Sequence, residues 1–518
     1  MAEKSHRPRR PRIVRVALGV LACLTVGTVT MLLVSADSDG TVPYDVNGDG
    51  IADLAVGFPG DTVDGHEKAG SVVVADGTGS GPADDAVRLN QDTSGVPGSG
   101  EKDDSFGQVL TSGDFDDDGY ADLAVSIPFE SIGDVQGAGY LQVFYGSSDG
   151  IDASRTDTFH ENTEGMPGSP QRDEVFAYST AAGDLNGDGY ADLAIGQPLD
   201  KVNGKPNAGS IKVLFGSADG LDTESMAWLD QSTDHVPGVP ERQDRFGEQL
   251  AIGDVDGDGT GDLVVSTIGE QIRGSSDRGS IHVLYGPVDQ SPKRSESLNS
   301  ANIDGIGEFS GSALALGNFN DDPYTDLAVG VSDQKVGQDG AAGRLALFYA
   351  DEDGVSHERV ETIDQESPGV TGQSEPEDYF AASLAAGDFN DDGVDDLVVG
   401  MRSEAIGSEN GAGAANLLFG NSTGGITTAD SFWVHQDTEG VPGVAVQSDH
   451  FGWTVGALDT DGDGRVEPLV GAPGNAAGTV TVLSVSPGEL ESATAFAEGD
   501  LGGSDGTRGD AFGIALPR

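Results

Sequence analysis

The chain has a single cysteine in 518 residues, Cys23, so disulfides contribute nothing to its stability. Aromatic residues make up 6% and tryptophan occurs three times, while 79 glycines punctuate the sequence. Stretches of helical periodicity are missing. That balance excludes a long-helix protein or a membrane bundle and points to many short strands joined by tight turns. Basic residues are scarce, 27 Lys and Arg against 88 Asp and Glu, for a formal charge of −61. Phosphate binding needs basic patches, so nucleic acid is excluded as a partner.

Six of the bases cluster in the first fifteen residues, where Glu3 is the one acid. Lys4, Arg7, Arg9, Arg10, Arg12 and Arg15 precede an uncharged run from Val16 to Val34, which ends in Val34-Ser35-Ala36. A basic stretch, an apolar run and a small terminal residue form an export signal over residues 1–36. The run is also long enough to span a bilayer, so an uncleaved anchor over residues 13–34 is the alternative. Both place residues 37–518 outside the cytoplasm. Cys23 lies in mid-run, where a lipoprotein cysteine would close it, which argues against lipidation. Without residues 1–36 the charge becomes −66 and no cysteine remains, so stability must come from core size or bound metal.

Much of the acid is spaced. Seven nine-residue segments share one pattern: DVNGDGIAD from Asp45, DFDDDGYAD from Asp114, DLNGDGYAD from Asp184, DVDGDGTGD from Asp254, NFNDDPYTD from Asn318, DFNDDGVDD from Asp388 and DTDGDGRVE from Asp459. Their starts are 69, 70, 70, 64, 70 and 71 residues apart, the mark of one supersecondary unit copied seven times. Oxygens at positions 1, 3, 5 and 9 of such a turn converge on a hard cation, with a backbone carbonyl near position 7, and six or seven oxygens suit calcium. Glycine at position 6 permits the turn.

The candidate ligands are Asp45, Asn47, Asp49 and Asp53; Asp114, Asp116, Asp118 and Asp122; Asp184, Asn186, Asp188 and Asp192; Asp254, Asp256, Asp258 and Asp262; Asp388, Asn390, Asp392 and Asp396; and Asp459, Asp461, Asp463 and Glu467. The loops from Asp114 and Asp254, with four carboxylates each, are the best formed. At Asn318 only Asp322 and Asp326 remain as acidic ligands and Pro323 replaces the glycine, so weak or no binding is expected there. Glu467 closes the last loop with a longer side chain.

Each unit repeats the same punctuation. Phe106-Gly107, Phe246-Gly247 and Phe451-Gly452 stand eight residues ahead of their loops; Phe176-Ala177 and Phe380-Ala381 take the same place, and Phe309-Ser310 is one residue further away. After each loop comes an apolar run such as LAVSIP, then a second such as AGSIKVLFG, then a polar variable one. Four short strands per 70 residues describe the blade of a β-propeller. The first loop has no Phe-Gly before it, and Asp510-Ala511-Phe512-Gly513-Ile514-Ala515-Leu516 has no loop after it. The expectation is an all-β, seven-bladed β-propeller over residues 37–518, with calcium loops between strands 1 and 2 of its blades and the ring closed by the C-terminal strand, which completes the N-terminal blade.

These residues resemble the FG-GAP repeat family, the calcium-loop propeller repeats of integrin α-subunit heads and of many exported bacterial proteins. The resemblance implies a seven-bladed propeller and a ligand face opposite the calcium loops. In this chain that face is built from 61–69, 131–138, 201–208, 270–278, 334–342 and 404–412, with a short seventh loop at 474–477. Variable loops on a rigid scaffold suit recognition. The expected function is a secreted, monomeric, non-catalytic binding or adhesion module for an extracellular protein or glycan. The alternative is an extracellular polysaccharide lyase or hydrolase with its site in the channel.

Three competing motifs dissolve into the repeat. Gly146-Ser147-Ser148-Asp149-Gly150 and Gly420-Asn421-Ser422-Thr423-Gly424 match a serine-hydrolase pattern but fall at the same repeat position, where a hairpin turn is expected and not a strand-to-helix elbow. Arg508-Gly509-Asp510 reads as the acid that other repeats also place two residues before their Phe, as Asp104, Asp244 and Asp449 do. His66, His160, His235, His282, His357, His435 and His450 are scattered without the paired spacing of a zinc site.

Overall fold

Runs of small residues become the strands nearest the axis. The sequences Leu110–Gly113 (LTSG), Ser179–Gly183 (STAAG), Ala313–Gly317 (ALALG) and Thr454–Leu458 (TVGAL) are buried at every position, since seven sheets converge there and bulk would force them apart. The second strands, such as Asp122–Ile127 and Asp396–Met401, are also buried on both faces and read as continuous apolar runs. The fourth strands, such as Thr156–Phe159 and Thr427–Val434, form the mixed, half-exposed rim.

The computed structural model describes residues 19–25, 28–34, 42–83, 86–272, 278–303, 306–475 and 478–501. Within them the chain forms seven antiparallel sheets in chain order. Blades 2 to 6 have four consecutive strands each; blade 2 comprises Leu110–Gly113, Asp122–Ile127, Tyr140–Phe144 and Thr156–Phe159. Blade 1 shows three, Leu54–Phe58, Ser71–Ala75 and Ala86–Leu89. The strand expected to complete it, at 510–516, lies outside the described residues, as does Arg508-Gly509-Asp510. Blade 7 runs from Thr454–Leu458 to Glu489–Phe496, and a hairpin of Gly19–Thr25 and Thr28–Val34 joins it through Val20 opposite Ala457. The backbone of that hairpin belongs to the run read above as an export signal or anchor. One short 3₁₀ turn, Glu498–Leu501, is the only helix among the described residues.

Adjacent blades are fastened by the Phe of one and the Ala-Gly of the one before. The N–H of Phe106 donates to Ala69 O at 2.9 Å, Phe176 to Ala138 at 2.8 Å, Phe246 to Ala208 at 2.9 Å, Phe380 to Ala342 at 2.8 Å and Phe451 to Ala412 at 2.8 Å. The glycine that follows each of those alanines lies flat against the Phe backbone; a Cβ on Gly139 would stand 2.3 Å from Phe176 N. Ala177 and Ala381, which replace the glycine after Phe, take positive φ angles of 58° and 60°.

The serine motifs are hairpin turns. In the first, Ser147 Oγ donates to Gly150 O at 2.8 Å, between strands three and four of blade 2.

Candidate metal centres

Each nine-residue loop is shaped by its own backbone before any ion is considered. Position 6 turns with positive φ, 87° at Gly119 and 90° at Gly259, and its N–H donates to the first carboxylate: Gly50 to Asp45 at 2.8 Å, Gly119 to Asp114 at 2.9 Å, Gly189 to Asp184 at 3.0 Å, Gly259 to Asp254 at 2.9 Å, Gly393 to Asp388 at 2.8 Å and Gly464 to Asp459 at 2.9 Å. Blade 5 departs at both ends of this bond. Pro323 has no N–H to give and Asn318 has no carboxylate to receive it; instead Asn318 Nδ2 donates to Asp322 O.

The residue at position 9 welds the loop to the turn between strands three and four. Asp53, Asp122, Asp192, Asp262, Asp326 and Asp396 each accept at Oδ1 from the N–H 24 residues on, at 2.8–2.9 Å, and at Oδ2 from the N–H at position 2. Burial pushes these carboxyls up, Asp192 to about 8, Asp262 to about 7 and Asp396 to about 9, because water is excluded from them. Glu467 in blade 7 is pushed to about 8 by burial and accepts from Thr460 N at 2.9 Å.

Three loops bring ligand oxygens together within 4.8 Å of one another: Asp114, Asp116 and Asp122; Asp254, Asp256 and Asp262; and Asp459, Asp461, Asp463 and Glu467. The longer Glu467 thus reaches the centre of its loop. Asp118 and Asp258, expected as fourth carboxylates, lie outside their clusters, exposed, and cap the N–H of Tyr120 and Thr260 at 3.2 and 2.9 Å. In the loops from Asp45, Asp184 and Asp388 the amide at position 3 leaves fewer carboxylates to converge, and Asn390 Nδ2 donates to Asp396 Oδ2 at 3.1 Å. In blade 5 Asn320 Nδ2 turns toward Asp326 Oδ1 at 3.5 Å, and no cluster forms around Asp322 and Asp326 among the described residues.

Two observations fit a hard cation. Asp116 Oδ1 and Asp256 Oδ1 are shielded from solvent and accept no hydrogen bond, though each lies among other carboxylates. All converging donors are carboxylate oxygens, the set that calcium takes. Arginines in or just before the fourth strands lean over the same loops. Arg155 pairs with Asp116 and Asp118, Arg294 Nη1 stands 2.5 Å from Asp256, and Arg359 Nη1 stands 3.8 Å from Asp322. Each guanidinium lies over a tyrosine ring, 4.7 Å from Tyr145, 3.7 Å from Tyr285 and 5.4 Å from Tyr349. Sequence reasoning missed these arginines because they lie 37 to 39 residues past the acids they meet.

The loops are also joined to one another. Ala121 N donates to Asp45 O at 2.9 Å, Ala191 to Asp114 at 3.2 Å, Gly261 to Asp184 at 2.8 Å and Asp395 to Asn318 at 2.9 Å, each bond crossing from one blade to the next.

Comparison with known proteins finds the same repeat in this chain. Five segments, 39–74, 106–144, 176–214, 246–284 and 380–415, match the FG-GAP repeat. Integrin alpha-PS2 of Drosophila melanogaster is 33% identical over 245 residues, covering 45% of this chain and 16% of its own length. The phosphatidylinositol-glycan-specific phospholipase D of Bos taurus is 31% identical over 166 residues, 32% of this chain and 18% of its own. The chain therefore spans less than a fifth of either relative. Among solved structures, the periplasmic gluconolactonase of Pseudomonas aeruginosa aligns with 86% of this chain and 96% of its own at 12% identity and a TM-score of 0.41.

Proposed function

The chain is a seven-bladed propeller of FG-GAP repeats, and from that premise we propose that it is an exported, calcium-stabilised module that binds an extracellular protein or glycan through the face opposite its cation loops. One observation carries the reading. On that face the connections between strands two and three are pinned into small hairpins at matching positions, Val63 with His66, Ile132 with Val135, Val202 with Lys205, Val336 with Asp339 and Ile406 with Glu409. Their tips, Asp64-Gly65, Gly133-Asp134, Asn203-Gly204, Gly337-Gln338 and Gly407-Ser408, are exposed. A preformed loop loses little entropy on binding, so a ring of such loops favours recognition.

The calcium part of the proposal rests on the shielded acceptors Asp116 Oδ1 and Asp256 Oδ1. Asp114, Asp116 and Asp122, Asp254, Asp256 and Asp262, and the four acids of blade 7 would hold the ion, which supplies charge neutralisation and not chemistry. Export rests on the basic, apolar and small-residue pattern of residues 1–36; no helix among the described residues is long and apolar enough to cross a membrane.

A glycan array and a panel of extracellular proteins, probed with residues 37–518, test the reading. It predicts a ligand whose capture falls when the exposed tips are substituted while the melting temperature holds. Turnover of a polysaccharide in a parallel activity screen would overturn it in favour of the enzyme.

A further inference from the structure

Blades 2, 4 and 5 close the fourth-strand side of their cation loops with an arginine laid over a tyrosine ring, Arg155 over Tyr145, Arg294 over Tyr285 and Arg359 over Tyr349. Blade 7 does not. In blade 4 Tyr285 of the third strand pairs with Arg294 of the fourth; the equivalent pair in blade 7 is Ser484 with Ser492. The equivalence follows from register. Leu123, Leu193, Leu263, Leu327 and Leu397, the first residues after their loops, pair with third-strand residues whose next neighbours are Tyr145, Phe215, Tyr285, Tyr349 and Phe419. In blade 7 Leu469 pairs with Val482, so the same step from Pro468 arrives at Ser484. Blades 2 to 6 therefore place an aromatic ring where blade 7 has a serine.

Two small side chains leave room. A cavity of about 220 Å³ lies there, between blade 7 and residues 80–82, in the turn that follows Ser71–Ala75 of blade 1. Asp461, Asp463 and Glu467 line it, so it opens onto the loop in which four acids converge. Glu467 is 7% exposed; its Oε2 accepts from Thr460 N at 2.9 Å and from Thr460 Oγ1 at 3.0 Å, while Oε1 accepts no hydrogen bond from the described residues. One oxygen of a buried carboxylate at the cavity wall is thus without a protein partner. The one base on the wall, Arg465, is engaged by Glu491 at 3.1 Å.

We propose that this cavity is a binding site for a single neutral sugar ring, held by its hydroxyls against the cation loop of blade 7. The site lies on the cation-loop face of the propeller, apart from the recognition face proposed above, and it rests on the reading of that loop as a calcium site.

Charge selects the ligand. Four carboxylates outweigh one divalent ion, and Arg465 is already neutralised by Glu491, so the wall stays negative and repels an anion. A cationic ligand would compete with the ion for the same oxygens. A neutral polyol does neither: its hydroxyls donate to carboxylate oxygens such as those of Asp461 and Asp463, and its own oxygens are the hard donors that calcium takes. Ser80, Thr460, Ser484, Ser492 and Thr494 also line the cavity, and each hydroxyl both donates and accepts, as a sugar's does. Half-buried Phe496 and Pro82 supply apolar surface for the C–H side of a ring. Clefts for drug-sized ligands run roughly 300–1,000 Å³. A volume of about 220 Å³ suits one ring, with the rest of any glycan outside.

Saturation-transfer NMR of the full chain in millimolar calcium tests the site, with D-mannose, D-galactose and L-fucose as probes and D-glucuronate and putrescine as charged controls. At least one neutral sugar should bind with a Kd of about millimolar order, the affinity expected of so few atoms, and its signal should vanish in excess EDTA. The double variant Ser484→Tyr, Ser492→Arg, which copies the Tyr285–Arg294 pair of blade 4, should weaken that sugar about tenfold or more by filling the cavity. Should it not fold, Ser492→Arg alone, at an exposed position, replaces it. No sugar bound, equal binding by the variant, binding retained in EDTA, or binding of a charged control alone would overturn the proposal. Binding that survives the variant and falls when the exposed loop tips are substituted belongs to the opposite face and overturns it too. A melting curve indifferent to calcium would remove the cation reading and this proposal with it; calcium stabilisation without sugar binding sinks the proposal alone.

Discussion

The N–H of Ala121 donates to the carbonyl of Asp45 at 2.9 Å, so the end of one cation loop is bonded to the start of the loop in the preceding blade. Repeated at Ala191 and Asp114, Gly261 and Asp184, and Asp395 and Asn318, this bond links the loops of blades 1 to 4 in series and joins the loop of blade 6 to that of blade 5. An ion that fixes one loop thereby fixes the edge of its neighbour. Bound cations would then serve a propeller by stiffening its junctions.

The loops are unequal, and single substitutions should reveal it. Asp256→Asn removes a converging carboxylate and should lower calcium-dependent stability by about the value of one weak site, roughly 0.4–1.4 kcal/mol at millimolar calcium. Asp322→Asn, in the loop that lacks both a first carboxylate and the position-6 N–H, should leave the calcium dependence unchanged. Calorimetric titration and melting of both variants compare them.

Arg294 places a positive charge 2.5 Å from Asp256 and competes with any ion there. Arg294→Ala should tighten calcium binding at that loop by roughly 2–5-fold, the equivalent of an exposed ion pair of about 0.5–1 kcal/mol. Terbium luminescence titration, with Tyr285 as the neighbouring chromophore, reads this site.

The glycine before each third strand is a steric requirement. Gly139→Ala would place a Cβ 2.3 Å from Phe176 N at a φ of 90°, and should cost about 2–3 kcal/mol, seen as a lower denaturation midpoint. Gly65, also at positive φ but with nothing near it, should lose less on the same change.

Buried His282 must gain a proton when the chain unfolds in acid. Its value is depressed from 6.5 to about 4, so its contribution is present above pH 6.5 and is lost as pH falls toward 4, by up to about 3 kcal/mol. His282→Gln, which copies Gln142 of blade 2, should flatten that part of the acid limb in a pH series of melting curves.

Much of this was legible in the residues. Spacings of about 70, the Phe-Gly pairs and the Asp-rich turns specify blade number, strand order and loop position, because a repeat states its own register. The loop from Asn318, with Pro323 in place of glycine, forms no carboxylate cluster among the described residues, and neither do the loops from Asp45, Asp184 and Asp388, which carry asparagine at position 3. What could not be read are contacts that cross a turn. The bond from Gly146 N to Asp122, 24 residues apart, depends on how strands pair within a blade, and the meeting of Gln91 with Glu130, 39 apart, on how blades lie side by side. In the loops from Asp114 and Asp254 the fifth position caps a backbone N–H and is exposed, a placement that counting acids does not give.

The central claim is that calcium in the linked loops holds the ring. The three loops whose carboxylates converge, if additive, would contribute about 1–4 kcal/mol at millimolar calcium, a sizeable share of the net stability of a typical domain. The direct measurement is the melting curve of residues 37–518 at neutral pH in 1–2 mM calcium (order of magnitude of that extracellular range) and again in excess EDTA. The account predicts a sharp fall in melting temperature on chelation, restored when calcium is returned; an unchanged curve in EDTA would contradict it.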